Sequence, residues 1–287
     1  MKRIALLMTA TAMAFALNAQ EWAPAGNSIR TKWANEVTPS NCHKEYPRPQ
    51  MEREAWASLN GLWDYSITKA DETAMAKAEG KILVPFPIES SLSGVGKTVS
   101  DNEALWYIRE FSLPKGWKGD NVILNFDAVD WGCEVFVNGK SVGSHTGGYT
   151  AFSFDITKYL KGSGAQSLVV KVKDATENDF QPHGKQVRNP HGIWYTSVTG
   201  IWQSVWIEKV SKFAHVADYK AVSDLANCTI DITPEICGTK ADEITVDLEQ
   251  GSDVKVKKIK AGETASFKLD NPKYWTPDKP VLYGICI

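Results

Sequence analysis

The chemistry this sequence offers most plainly lies in aromatic and planar polar side chains gathered on loops. Between Gln181 and Tyr195 stand His183, Lys185, Gln186, Arg188, Asn189, His191, Trp194 and Tyr195, punctuated by Pro182 and Gly184. Asp130, Trp131, His145 and Tyr149 fall at strand ends and hairpin loops. Rings of this kind stack on the C–H faces of a sugar, and planar carboxylate, amide and imidazole groups grip its hydroxyls. Loops held by a rigid scaffold are where such groups concentrate. Eight residues are therefore candidates for the rim of a binding site: Asp130, Trp131, His145, Tyr149, His183, His191, Trp194 and Tyr195. The competing assignment is that they cover an interface with a neighbouring domain.

Other chemistries find little support. The five His (His43, His145, His183, His191, His215) have no ligand spacing on a helix, and the five Cys show no Cys-x-x-Cys pair. Neither a metal nor a cofactor is expected. Cys228 and Cys237 bracket a strand-and-turn and are the pair closest to a disulfide arrangement; buried free Cys is the heavier alternative. No nucleophile elbow, zinc-protease helix or phosphate-cradling Gly loop occurs. Thirty-two basic against 34 acidic side chains give a net charge of -2, and no basic block offers itself to nucleic acid. The richest basic run, Lys255, Lys257, Lys258 and Lys260, alternates with Val254, Val256 and Ile259, which predicts the wet face of a strand.

The elements that must position these groups read as strands. Leu105–Leu113 is aromatic-rich and stops at Pro114, and Val122–Val129 is an almost unbroken apolar run. Asn138-Gly139 between two short apolar runs signals a hairpin, because both central residues of that turn need positive φ. Leu168, Val170 and Val172 alternate with Val169, Lys171 and Lys173, and Ile201–Ile207 predicts a further strand. Trp63, Trp106, Trp202 and Trp206 sit at strand positions and are assigned to the core. Only 71–79 and 157–160 suggest helix, too little for a parallel sheet with crossovers. After about residue 210 the runs shorten to 228–232, 244–248 and 265–269, at the spacing of a small immunoglobulin-like sandwich. An all-β chain of two domains results, 20–210 and 211–287.

Residues 1–19 differ. Lys2 and Arg3 precede an apolar stretch to Leu17, and Ala19 suits cleavage before Gln20. That is the pattern of a secretory signal peptide, shorter than the about 20 residues of a membrane span. The mature protein is expected to be exported and to have no membrane segment.

Several phrases occur in one order: Leu59-Asn60-Gly61-Leu62-Trp63-Asp64-Tyr65, Val84-Pro85-Phe86-Pro87, Trp106-Tyr107-Ile108-Arg109-Glu110-Phe111, Asp130-Trp131-Gly132-Cys133-Glu134-Val135-Phe136-Val137-Asn138-Gly139, Gly147-Gly148-Tyr149, Gly192-Ile193-Trp194-Tyr195, Thr199-Gly200-Ile201-Trp202-Gln203 and Trp275-Thr276-Pro277-Asp278-Lys279-Pro280-Val281-Leu282-Tyr283. Together they resemble the family-2 glycoside hydrolases, the β-galactosidase, β-glucuronidase and β-mannosidase family. The resemblance implies a jelly-roll (galactose-binding-like) sandwich followed by an immunoglobulin-like domain, and after them a TIM barrel carrying two catalytic glutamates. Such retaining chemistry needs two carboxyl groups about 5 to 5.5 Å apart on rigid elements, and a barrel takes about 250 residues. The expectation is thus a non-catalytic N-terminal part, truncated or split before its barrel, with no catalytic residue of its own. Asn35-Glu36 and Asn102-Glu103 lie in an arm and a loop and are accidental matches to the family's Asn-Glu. Expected partners are a β-linked glycoside and a separate catalytic chain. A free-standing secreted carbohydrate-binding protein is the alternative.

Overall fold

Alternation of apolar and polar residues builds the first body. In Gln166–Lys173, Leu168, Val170 and Val172 are fully buried, while Ser167, Val169, Lys171 and Lys173 face outward. A computed structural model describes residues 22–26, 29–75, 77–238 and 241–287, so the expected leader lies outside the described residues. Gln166–Lys173 stands between Glu103–Phe111 and Gly132–Val137 in a six-stranded antiparallel sheet, continued by Gly61–Lys69 and Gly80–Val84 on one side and Lys140–Thr146 on the other. Facing it is a four-stranded sheet in the order Trp56–Ser58, Val205–Val210, Asn121–Phe126, Phe152–Asp155.

Between the sheets lie Trp63, Ile82, Leu105, Tyr107, Leu124, Phe126, Val135, Leu168, Val170 and Ile207, all fully buried. Each large apolar side chain removed from water in this way contributes about 1.5–3 kcal/mol. The polar tips are matched too: Trp63 Nε1 donates to the Leu59 carbonyl at 2.8 Å, and its ring meets Tyr107 edge-on at 6.2 Å. The expected hairpin forms, with φ of 51° at Asn138 and 77° at Gly139. Asn138 also ties the turn down, since its amide donates to the Tyr159 carbonyl and to Gln166 Oε1.

A second, smaller core holds Ile232, Val246, Leu248, Ala265 and Phe267 between two three-stranded sheets. One is Ala214–Asp224, Thr229–Gly238, Ala265–Lys268; the other is Asp253–Ile259, Ile244–Gln250, Gly284–Cys286. The fold is therefore all-β, a jelly-roll sandwich followed by an immunoglobulin-like one. The N-terminal arm spans the two: Glu208, almost wholly buried, accepts from Arg48 at 3.0 Å, from Arg53 at 2.8 Å and from Tyr46. Arg53 also donates to the Val216 carbonyl, and Tyr219 donates to the Gln50 carbonyl at 2.8 Å.

Three expectations are corrected, and the open alternative for the cysteines is decided. Residues 71–79 are turn and bend where described, because the segment has no apolar face to bury. The strand expected over 201–207 is broken: Gly200–Ile201 and Val205–Val210 join different sheets, and Trp202 at the corner between them is only half-buried. In Asp253–Ile259 the register sets Lys255 against Leu248 and Lys257 against Val246, which puts these lysines on the core side. Lys257 covers Phe267 with its ammonium 5.7 Å from the ring, and Val254 and Val256 face solvent. Long lysine stems close an open sandwich edge while their charge stays wet. Finally, all five cysteines are free. Cys237 lies on Thr229–Gly238 and Cys228 immediately before it, so an extended strand of about 3.3 Å per residue separates the two.

Candidate functional site

The short strand Val129–Asp130 pairs antiparallel with Gly200–Ile201 at one end of the first sandwich, and this pairing sets Asp130 inside the corner. Asp130 is 3% exposed and its Oδ1 has no hydrogen-bond partner. Two further acids act on it electrostatically, Asp174 and Glu89. Asp174 ends the strand Gln166–Lys173 and is fully engaged, accepting from Thr176 N at 2.7 Å, Thr199 Oγ1 at 2.7 Å and Gln181 Nε2 at 2.6 Å. Glu89 accepts from Thr199 N at 3.0 Å and Ser197 Oγ at 3.3 Å.

All these donors are neutral, and none of the three carboxylates has a salt bridge among the described residues. Burial pushes the Glu89 carboxyl up to about 7. Burial first, then the charges of Asp174 and Glu89, push Asp130 up to about 7 as well. Glycines make this close approach possible. A Cβ on Gly148 would collide with the Asp130 carboxylate, and one on Gly200, at φ 93°, would collide with the Tyr107 hydroxyl.

Over the acids lies a roof of loops. Trp202 Nε1 donates to the Gly148 carbonyl at 2.7 Å and its ring meets Tyr149 edge-on at 5.8 Å. Tyr149 OH accepts from Gln186 Nε2 at 2.8 Å, and Gln186 Oε1 accepts from Val198 N at 3.0 Å. The 181–195 segment closes through a two-residue parallel pair, Gln186–Val187 with Tyr195–Thr196. Its outer side leaves Ile193 65%, Tyr195 68% and Tyr149 56% exposed, with Trp194 beside them at 37%.

The eight sequence candidates divide accordingly. Tyr149, His183, Trp194 and Tyr195 share the loop cluster; Tyr149 and His183 both bond to Gln186, His183 Nδ1 donating to its carbonyl at 3.0 Å. His191 is exposed on the same segment, donating to the Asn189 carbonyl at 2.8 Å. Asp130 lies beneath the roof. Trp131 and His145 line a different groove with Glu134, Lys171 and Lys173, and His145 is stacked on Phe152 at 4.0 Å.

Residue-level reading passed over Glu89, Asp174 and Thr199, and placed Gln186 in the loop without counting it among the eight candidates. The available signals were the acid closing the alternating strand at Asp174 and the Thr199 that precedes a positive-φ glycine.

Chemically, the corner is an acid-rich cradle built by neutral donors, with exposed rings above it. Asp130 is covered and Asp174 is saturated, so neither is free to act as a nucleophile. No cluster of three His, Cys, Asp or Glu able to hold a metal occurs among the described residues.

Comparison with known proteins places two segments. Residues 81–210 match the sugar binding domain of the glycosyl hydrolases family 2, and residues 214–287 match a second model of the glycosyl hydrolases family 2. A β-galactosidase of Thermoanaerobacter pseudethanolicus is 32% identical over 195 residues, covering 63% of this chain and 25% of the relative. A β-galactosidase of Bacteroides ovatus is 27% identical over 67% of this chain and 23% of the relative. The chain thus spans about a quarter of the length of these curated relatives. Among solved structures, a β-glucuronidase from Ruminococcus gnavus in complex with a C6-substituted uronic isofagomine superposes with a TM-score of 0.64 at 20% identity, over 84% of this chain and 43% of that one.

Proposed function

The chain belongs to the glycosyl hydrolases of family 2, and from that premise we propose that it serves as the non-catalytic N-terminal part of a β-glycoside hydrolase, working with a catalytic barrel on the same or a separate chain. The observation that carries this reading is the pair of family matches to the two sandwiches described above, together with a polar corner whose acids are too enclosed for glycosidic chemistry. The exposed loop 181–195, with Tyr149 beside it, is then the part of the chain that reaches a substrate held by the barrel. Its rings stack on the glycone or aglycone, and the acid cradle fixes the loop's base rather than touching sugar.

A second face supports the same reading. Tyr274 and Trp275 are each more than half exposed and border an apolar hollow of about 220 Å³ with Leu225, Pro272 and Val281. A patch of this character on an immunoglobulin-like domain suits burial against another domain. Export of the protein after removal of residues 1–19 belongs to the same proposal, and N-terminal sequencing of the mature chain checks it by reading Gln20 first.

The functional test uses the chain assembled with a family-2 barrel and an aryl β-galactoside or β-glucuronide. Trp194→Ala together with His191→Ala raises KM several-fold while leaving the fold intact. Unchanged KM and kcat refute the role of the loop.

A further inference from the structure

We propose that the cleft between the N-terminal arm and the Trp202–Ser204 corner is a binding pocket for a neutral pyranose, separate from the 181–195 rim. The cleft has a volume of about 380 Å³, within the range of small-ligand sites. His43, Pro47 and Pro85 line it with Asp127, Trp202 and Gln203, and none of the eight rim candidates does.

Its walls are fastened before any ligand arrives. Asn60, 2% exposed, donates both to the His43 carbonyl at 3.1 Å on the arm and to Ser204 Oγ at 3.0 Å on the corner, and accepts from Val205 N at 2.9 Å. Tyr46 and Arg48 anchor the arm further through the buried Glu208. Trp202 is held on its far edge by the bond to Gly148 and the contact with Tyr149. Preorganisation of this kind lowers the ordering cost of binding.

What the cleft presents is a set of unspent polar groups against apolar walls. Among the described residues the half-buried Asp127 carboxylate has no side-chain hydrogen bond, and the Gln203 amide has none. A planar carboxylate and a planar amide in a cleft that an indole and three proline rings also line match a pyranose. Hydroxyls donate to Asp127 and accept from Gln203, while a C–H face lies on the apolar surface. Charge selects against an acidic sugar. Asp127 and Glu45 both line the cleft, Glu45 being held to His43 at 3.1 Å, and the nearest guanidinium, that of Arg48, is committed to Glu208. Burial raises the Asp127 carboxyl to about 6 against the lowering pull of the Arg48 charge, so it is still an acceptor at neutral pH.

The test titrates the 287-residue chain with methyl β-D-galactopyranoside, methyl β-D-glucopyranoside and methyl β-D-glucuronide, read by saturation-transfer NMR and tryptophan fluorescence. The expected result is saturable millimolar binding of at least one neutral glycoside and weaker binding of the uronide. Asp127→Ala weakens the neutral ligand about ten-fold or more, as loss of a charge-assisted hydrogen bond should. Gln203→Ala weakens it several-fold, and Val222→Ser, on the exposed face of the second sandwich, leaves it unchanged. Melting curves confirm that each variant folds, and if Asp127→Ala does not, Gln203→Ala carries the test. The proposal is overturned by absence of saturable binding, by uronide binding as tightly as the neutral sugars, or by affinity indifferent to the cleft variants. Loss of binding only in Trp194→Ala also overturns it, while leaving the rim reading intact.

Discussion

Replacing Asp130 by Asn isolates a buried carboxyl that has no hydrogen-bond partner at Oδ1. Its carboxyl is 3% exposed, unpartnered at Oδ1, and pushed up to about 7 from an ordinary 3.8 by burial and by Asp174 and Glu89. The folded protein therefore holds a proton that the unfolded chain releases near pH 4. Below that pH both states are protonated and ionisation costs nothing. Between pH 4 and about 7 only the unfolded chain ionises, so stability falls as pH rises, levelling off once the folded carboxyl ionises as well. Roughly three pH units at 1.36 kcal/mol each set an upper bound of about 4 kcal/mol. Coupling to Glu89, which titrates in the same range, means the two share this cost, so about 2–4 kcal/mol is the working figure for the cluster.

Asn has nearly the same shape, carries no charge, and can donate to the neighbouring carboxylates. Asp130→Asn should accordingly leave stability at pH 4 and below almost unchanged, raise it progressively from there to pH 8, and so flatten the profile. With about 2–4 °C per kcal/mol for a chain of this size, the melting temperature at pH 8 rises by about 4–16 °C. Urea unfolding followed by tryptophan fluorescence at pH 5, 6, 7 and 8 measures it. A variant equally destabilised at every pH, with the slope of the parent, refutes the reasoning.

Three other outcomes are open to direct measurement. Glu208→Ala leaves Arg48 and Arg53 without their buried carboxylate and should cost about 3–5 kcal/mol, with the linkage between the two sandwiches loosened first; limited proteolysis near residues 211–213 detects that. Thiol labelling of the native protein should modify the exposed Cys237 and Cys286 quickly. The buried Cys133, its thiol pushed up to about 12, should react only after denaturation, and five thiols in denaturant confirm that no disulfide exists. Leu168→Ala in the centre of the first core should cost about 2–5 kcal/mol in denaturant unfolding, with little change in the second sandwich.

What the sequence made legible was periodic or conformational. Leu168, Val170 and Val172 report their face by alternation alone, and Asn138-Gly139 announces a turn that only two left-handed residues can make. Where it misled, the cause was tertiary. Lys255 and Lys257 look like a solvent face, yet at an open edge of a small sandwich long aliphatic stems are the cover available, and register sends Val254 and Val256 outward. Trp202 reads as one more core tryptophan in an apolar run. That the run is cut, with Gly200–Ile201 and Val205–Val210 assigned to different sheets, depends on partners distant in sequence.

That corner also explains why the candidate site was only half visible. Aromatic loop residues such as Tyr149, Trp194 and Tyr195 can be picked out by type and position. The groups that hold them cannot, because Glu89, Asp174 and Thr199 come from three separate segments and acquire meaning only once Val129–Asp130 pairs with Gly200–Ile201. Asp130 shows the same effect in reverse: an acid beside a tryptophan on a turn reads as a ligand contact, whereas enclosure under Gly148 makes it part of the loop's foundation. Asp130 and Asp174 are costly to keep buried, with Glu89 half-buried beside them. Such an arrangement is stable only because Thr176, Gln181, Ser197 and Thr199 satisfy Asp174 and Glu89, which leaves Asp130 to carry the remaining cost as a retained proton. The rigidity gained at the base of the 181–195 loop is the physical return, and it makes the loop's exposed rings a fixed surface rather than a flexible one.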